Sequence, residues 1–132
     1  MAATLVRGAA EGAAAVVTDR LTGTDDDDPI RMLEADHRQF EKLLEEGAQT
    51  TERGVKRRTE ILDRLTASLQ AHERMEEKIL YPALKPHAEA REVVLEGYQE
   101  HHVADVLVRE LHAMAKDDER WGAKFKVLKE NI

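Results

Sequence analysis

The stretch LTASLQAHERMEEKILYPAL, residues 65–84, decides the fold that the sequence predicts. Its leucines and isoleucines recur every three or four positions, which is the spacing of one face of an α-helix. His72 and Glu76 fall on that same face, four residues apart, so their side chains would project side by side into the core. Because a buried polar group without a partner costs roughly 1–3 kcal/mol, the pair is expected to have a compensating partner.

Apolar residues at helical spacing continue along the chain on both sides of this stretch. They predict four helices. The first begins at Pro29, with Asp28 as N-cap, and ends at a break between Gly47 and Gly54, and the second runs from that break to Pro82. The third covers about 88–115, and the fourth is capped by Asp117 or Asp118. Pro82 is expected to kink or stop the second helix. Short connections and no strand-like alternation predict an all-α fold, an up-and-down antiparallel four-helix bundle.

The apolar positions also predict which residues face the core. The apolar residues that the second helix is expected to bury are Ile61, Leu62, Leu65, Leu69, Ile79 and Leu80. The third helix is expected to bury Val94, Leu95, Tyr98, Val103, Leu107, Val108, Leu111 and Met114. Trp121 and Phe125 are interpreted as core residues of the fourth helix.

Residues 1–28 differ in composition from the rest of the chain. The first part is rich in alanine, and residues 23–28 read GTDDDD, a run of like charges that predicts a solvated linker. We therefore expect a flexible or weakly helical arm before a bundle domain over residues 29–132. The arm lacks the apolar run of a secretory signal or a membrane helix, so no membrane association is expected.

Charge and cysteine content exclude several classes of function. With 20 Lys plus Arg against 27 Asp plus Glu, the net charge is -7, and no basic surface for nucleic acid is apparent. The absence of cysteine leaves His and carboxylates as the only strong metal ligands. It is also compatible with a cytoplasmic location, which we expect.

Histidine falls on the inward face of three predicted helices. His37 lies in the first, His72 and Glu76 in the second, and His101 in the third, where Asp105 follows at the same four-residue spacing. His102 competes with His101 for the inward position, and the nearby Asp105 favours His101. Imidazole and carboxylate together suit iron, manganese or zinc, and helical bundles place such sites in their cores. The pattern therefore predicts a metal site.

Other polar residues have simpler interpretations. His87 in a turn and His112 near a helix end are not expected to be ligands. Glu77 is expected to face solvent or to contact a ligand from outside. Tyr81 is either a core residue or a hydrogen-bonding partner beneath the site.

Four segments carry a resemblance to a known family. DHRQF, HERMEEKILYPAL, EHHVADVLVREL and AKFKVLKENI resemble the haemerythrin-like, HHE cation-binding domain over about residues 29–132. The resemblance implies a four-helix bundle that holds two non-haem iron ions bridged by oxygen and by carboxylates, although zinc or manganese could replace iron. It implies ligand roles for His37, His72 and His101, and a bridging role for Glu76. Asp105 occupies the place of a further third-helix ligand in relatives.

The sequence departs from this family at the fourth helix. Relatives continue that helix with a His followed by an acidic residue, whereas the sequence stops at Ile132 before such a pair. We therefore expect a short fourth helix, with either a truncated chain or an incomplete metal site. A short fourth helix would leave apolar residues of the other helices exposed, and such a surface would favour a homodimer.

The resemblance implies reversible binding of dioxygen or a related small diatomic, for storage, sensing or scavenging. An enzyme that acts on peroxide, nitric oxide or ferrous iron at the same metals is the first alternative. A metal-free helical interaction module is the second. Binding is favoured over catalysis because no separate substrate pocket is visible in the sequence.

Overall fold

The computed structural model describes residues 29–132, and the predicted arm, acidic linker and Asp28 cap lie outside this range. The described elements are α1 (Pro29–Ala48), α2 (Val55–Met75), a π-helical turn π1 (Glu76–Leu80), α3 (Tyr81–Leu84), α4 (Ala88–Ala113) and α5 (Glu119–Asn131). The segments α2, π1 and α3 follow one another without a break and form the second helix of the bundle. None of the described residues lies in a strand.

The helices pack as a closed ring of neighbours. α1 packs against α2 and α5, and α4 packs against the same two helices from the opposite side. The prediction of an all-α four-helix bundle is confirmed. Within the described range, no helix has both the length and the apolar content that crossing a bilayer requires.

Residues at two helix ends show how local sequence sets the boundaries. The Asp118 side chain accepts a hydrogen bond from the backbone N–H of Arg120, so Asp118 caps α5 as predicted. Gly47 lies inside the last turn of α1, and a Cβ at this position would overlap the Phe125 ring. This glycine therefore permits close packing between α1 and α5 as well as marking the approach to the helix end.

Pro82 does not stop the second helix, so of the two effects expected of it, a kink or a stop, the stop is wrong. The chain passes through π1 and continues to Leu84 in α3. Proline has no N–H for the ordinary helical hydrogen bond, and a π-helical turn next to it changes the hydrogen-bond register. The wider turn also rotates Ile79 away from the core, so this predicted core residue is 59% exposed.

The buried face of α4 differs from the one that hydrophobicity predicts. Leu95, Tyr98 and Val103 are exposed. The buried residues of α4 are Val94, Gly97, Ala104, Val108 and Leu111. Small residues form part of the true face, because they allow the neighbouring helices to approach, and a search for large apolar residues misses them.

Arg58 joins several segments at the end of the bundle where α5 begins. Its side chain is buried, and its guanidinium lies 4.4 Å from the centre of the Trp121 ring. The guanidinium also donates to the Lys116 carbonyl at 2.5 Å and to the Thr50 hydroxyl at 2.9 Å. Because the buried charge has both hydrogen-bond and cation–π partners, Arg58 links the α1–α2 loop and the α4–α5 loop to the core.

Two clusters of buried apolar residues fill the bundle. The larger, here called the α5-end cluster, is Phe40, Leu43, Leu44, Ile61, Leu62, Leu65, Leu69, Ala104, Val108, Leu111, Trp121, Phe125 and Leu128. The smaller, here called the α3-end cluster, is Leu33, Leu80, Tyr81, Leu84 and Val94. All the buried residues of α5 belong to the α5-end cluster. The short fourth helix thus packs against one part of the bundle.

Replacing Leu65 and Leu95 by alanine tests this core. Leu65 is 0% exposed and Leu95 is 57% exposed. We expect Leu65→Ala to lower the free energy of unfolding by about 2–5 kcal/mol, because a buried leucine loses its contacts and leaves a cavity. Leu95→Ala should change it by less than about 0.5 kcal/mol. Chemical denaturation measures both, and equal losses would contradict the assignment of the α4 face.

Candidate metal centre

A layer of polar side chains separates the two apolar clusters. It consists of His37 from α1, His72 from α2, Glu76 from the start of π1 and His101 from α4. Along each helix, the nearest core residues on one side belong to the α3-end cluster and those on the other to the α5-end cluster. The bundle therefore brings together the three histidines and the glutamate that the sequence singled out.

Glu76 lies at the centre of this layer. Its Oε1 atom is 2.5 Å from Nε2 of His72 and 3.6 Å from Nε2 of His101. Its Oε2 atom accepts a hydrogen bond of 2.9 Å from the Tyr81 hydroxyl. One carboxylate oxygen thus faces two imidazoles while the other is held by a phenol.

A second carboxylate contacts the far side of each imidazole. Nδ1 of His72 is 3.2 Å from Oδ2 of Asp36, and Nδ1 of His101 is 3.1 Å from Oε1 of Glu77. A carboxylate accepts hydrogen bonds, so each Nδ1 carries the proton and donates it. Each Nε2 is then turned toward Glu76, which is the arrangement that orients histidine ligands at metal sites.

Two atoms of the layer are buried without a hydrogen-bond partner. These are Nε2 of His72 and Oε1 of Glu76, in side chains of residues that are only 3% and 5% exposed. Their contact is close but is not aligned as a hydrogen bond. A cation between them would accept both lone pairs and offset the buried negative charge, so this donor set fits a metal ion.

The donors face one another rather than a shared empty point. Among residues 29–132, no three His, Asp or Glu side chains already converge as a metal-holding group. Nε2 of His72 and Oε1 of Glu76 lie too close together for a metal ion to fit between them without movement. Binding a cation would therefore require small side-chain rotations within the layer.

The pKa values of the layer follow from these contacts. Burial raises the pKa of Glu76, but the close contacts of its carboxylate with the His101 and His72 imidazoles outweigh burial and leave the pKa lowered. Burial lowers the pKa of His101, but the nearby Glu76 carboxylate and the hydrogen bond with Glu77 outweigh burial and raise the pKa to about 9. The pKa of His72 is raised through the same kind of balance, with Glu76 and Asp36 opposing burial. A proton thus stabilises the metal-free layer.

His37 differs from the other two imidazoles. Its ring meets the His72 ring edge to face, with the centroids 4.8 Å apart. Burial, followed by the neighbouring charge of His72, lowers the pKa of His37. His37 is therefore neutral at physiological pH and has a lone pair available to a metal.

Two predicted ligands lie outside the layer. Asp105 is exposed and lies beside Glu73, so the prediction that it projects into the same layer as His101 is wrong, while its role as a ligand stays a prediction. His102 is also exposed, which resolves the choice between the adjacent histidines in favour of His101. The α4 face explains both results, because His101 aligns with the buried small residues of that helix.

Asp105 instead lines a groove between α2 and α4. The groove has a volume of about 420 Å³, and its lining includes Glu73, Glu77 and His112. Burial and then the Asp105 carboxylate raise the pKa of Glu73 to about 7, against the opposing effect of His101. Since Glu77 also contacts His101, this groove reaches the outer side of the polar layer.

Sequence reasoning missed some of the residues that complete this layer. Asp36 gave no spacing signal, because it neighbours His37 in sequence but contacts His72 in space. Glu77 and Tyr81 were each assigned two interpretations. Glu77 contacts His101, and Tyr81 fulfils both of its interpretations, since it is a core residue and donates a hydrogen bond to Glu76. His87 and His112 lie outside the layer.

Comparison with known proteins gives one result. The family model described as the hemerythrin HHE cation binding domain matches residues 28–132. The comparisons with curated proteins and with solved structures give no match. The matched range contains every residue of the polar layer.

Replacing His101 and His102 by alanine, one at a time, distinguishes a metal ligand from a surface residue. We expect His101→Ala to weaken Zn²⁺ binding by at least about tenfold, because Glu76 loses one of the imidazoles that face it. His102→Ala should leave the affinity unchanged, since this side chain is exposed. Competition with a coloured chelator measures both, and the opposite order would assign the site to His102.

Metal affinity should depend on pH. A metal ion binds the deprotonated imidazole, so protons compete with it at His101, whose pKa is raised to about 9. The apparent affinity for Zn²⁺ should therefore fall continuously as the pH decreases from about 9. Chelator competition at a series of pH values measures this slope, and an affinity that does not vary with pH would exclude His101 as a ligand.

Proposed function

The chain belongs to the hemerythrin HHE cation-binding domain family, and we propose that it holds non-haem iron as a diiron centre and binds dioxygen or a related small diatomic reversibly. The family assigns a metal-cation-binding domain whose metal is typically iron. The observation that carries the proposal is the buried pair of His72 Nε2 and Glu76 Oε1, which have no hydrogen-bond partner. A cation supplies the partner that these atoms lack.

The residues of the polar layer have distinct roles in this proposal. His37, His72 and His101 supply imidazole nitrogens from three helices, so metal binding would link α1, α2 and α4. Glu76 faces both His72 and His101 and is the proposed bridging carboxylate. Nitrogen donors with few carboxylates suit iron that changes oxidation state, and iron supplies the redox chemistry for binding a diatomic.

The surroundings of the layer favour binding over hydrolytic chemistry. Apolar clusters lie on both sides and exclude water from His72 and Glu76. Asp36 and Glu77 hold the Nδ1 protons of His72 and His101, so that each Nε2 faces inward. A small uncharged diatomic suits such a layer better than a charged substrate, because it need not lose a strong hydration shell.

Iron content tests the metal assignment. Protein expressed with added iron and purified without chelators should retain iron, at about two ions per chain where the fourth helix supplies further ligands. His72→Ala should lose the iron and remain helical by circular dichroism, whereas His112→Ala should keep it. An iron content near zero in the unaltered protein would contradict the proposal.

Absorption spectra recorded while dioxygen is added and removed distinguish reversible binding from catalysis. We expect the absorption spectrum of the reduced, iron-loaded protein to change on exposure to dioxygen and to return when dioxygen is removed. Stoichiometric, repeatable changes support a binding protein. Continuous consumption of dioxygen, peroxide or nitric oxide, with many turnovers per chain, would instead establish an enzyme.

A further inference from the structure

Tyr81 is the phenol nearest to the polar layer. Its side chain is buried, and its hydroxyl donates to Oε2 of Glu76 at 2.9 Å. Its ring stacks on the His101 ring, with centroids 5.7 Å apart and an angle of 19° between the planes. The phenol therefore contacts both the central carboxylate and one imidazole.

The π-helical turn brings Tyr81 to Glu76. In an α-helix, residues five apart are separated by about 1.4 turns and point in different directions. In π1 the backbone N–H of Tyr81 donates to the carbonyl of Glu76, which is the i to i+5 pattern of a π-helix. The two side chains consequently lie on the same face of the second helix and meet through the hydroxyl group.

Gly97 provides the space that Tyr81 occupies. A Cβ at this position of α4 would overlap the Tyr81 hydroxyl and press against the ring carbon that bears it. Glycine is unfavourable in the middle of a helix, and α4 extends well beyond this position in both directions. The close approach to Tyr81 gives a physical reason for glycine here.

The hydroxyl determines which oxygen of Glu76 faces the imidazoles. With Oε2 engaged by Tyr81, Oε1 is directed toward Nε2 of His72 and of His101. A carboxylate with one fixed oxygen cannot rotate freely about its last bond. The free oxygen is therefore already turned toward the imidazole donors before any cation arrives.

We propose that Tyr81, seated by the π-helical turn and by the missing side chain of Gly97, is a positioning residue that fixes Glu76 for metal binding. This inference rests on the proposed metal-binding function, and it adds the residue that controls the carboxylate. Fixing a ligand by a hydrogen bond typically changes metal affinity by about 10–100-fold.

Co²⁺ binding to matched tyrosine variants tests the proposal, because the visible spectrum of Co²⁺ reports ligand geometry independently of activity. Tyr81→Phe removes only the hydroxyl and should weaken Co²⁺ binding by about tenfold or more, with an altered visible spectrum. Tyr98→Phe is the control, since its ring lies 5.0 Å from that of Tyr81 and Tyr98 is 41% exposed. It should retain the original affinity and spectrum.

Gly97→Ala provides a second route to the same result. The added methyl group should displace the Tyr81 hydroxyl, so the folded variant should show weakened Co²⁺ binding although Tyr81 is present. Original affinity and spectrum in Tyr81→Phe would overturn the positioning role and leave the metal-binding function standing. Absence of Co²⁺ binding by the unaltered protein would overturn the proposed function and this inference together.

Discussion

The burial of His72 against Glu76 is the constraint on which the rest of the structure depends. Both side chains lie between two apolar clusters, and the atoms that face each other have no hydrogen-bond partner. Desolvating such a pair costs more than their mutual attraction returns unless other groups compensate. Asp36, Tyr81 and His101 surround the pair and supply part of that compensation. A bound cation would supply the remainder, which connects the fold directly to its family function.

The π-helical turn couples this constraint to the backbone. It begins at Glu76, directly after the helix that carries His72, and it ends just before Tyr81. An unbroken α-helix would separate Tyr81 from the carboxylate and would place Ile79 differently. A rare backbone feature thus occurs beside the polar layer, and π-helical turns are frequent at functional sites. Pro82 is accommodated by the same feature.

Helical spacing and capping residues were sufficient to predict the bundle, because the pattern repeats over many turns and errors at single positions do not alter it. The inward His and Glu positions were predictable for the same reason. Ile79 was misplaced because a π-helical turn changes the residue spacing and leaves no clear signal in the sequence. Leu95 was misplaced because Gly97 forms part of the buried face, although glycine contributes nothing to a hydrophobic pattern. The inward position predicted for Asp105 depended on the predicted α4 face and was wrong for the same reason.

The most direct test of this account is the effect of metal on stability when the buried pair is replaced by apolar residues. Denaturant unfolding with and without Zn²⁺ should show that the metal raises the free energy of unfolding of the unaltered protein. In the double variant His72→Leu with Glu76→Met, the same metal concentration should leave the unfolding transition unchanged. Equal stabilisation of both proteins by Zn²⁺ would contradict the account, because the metal would then bind elsewhere.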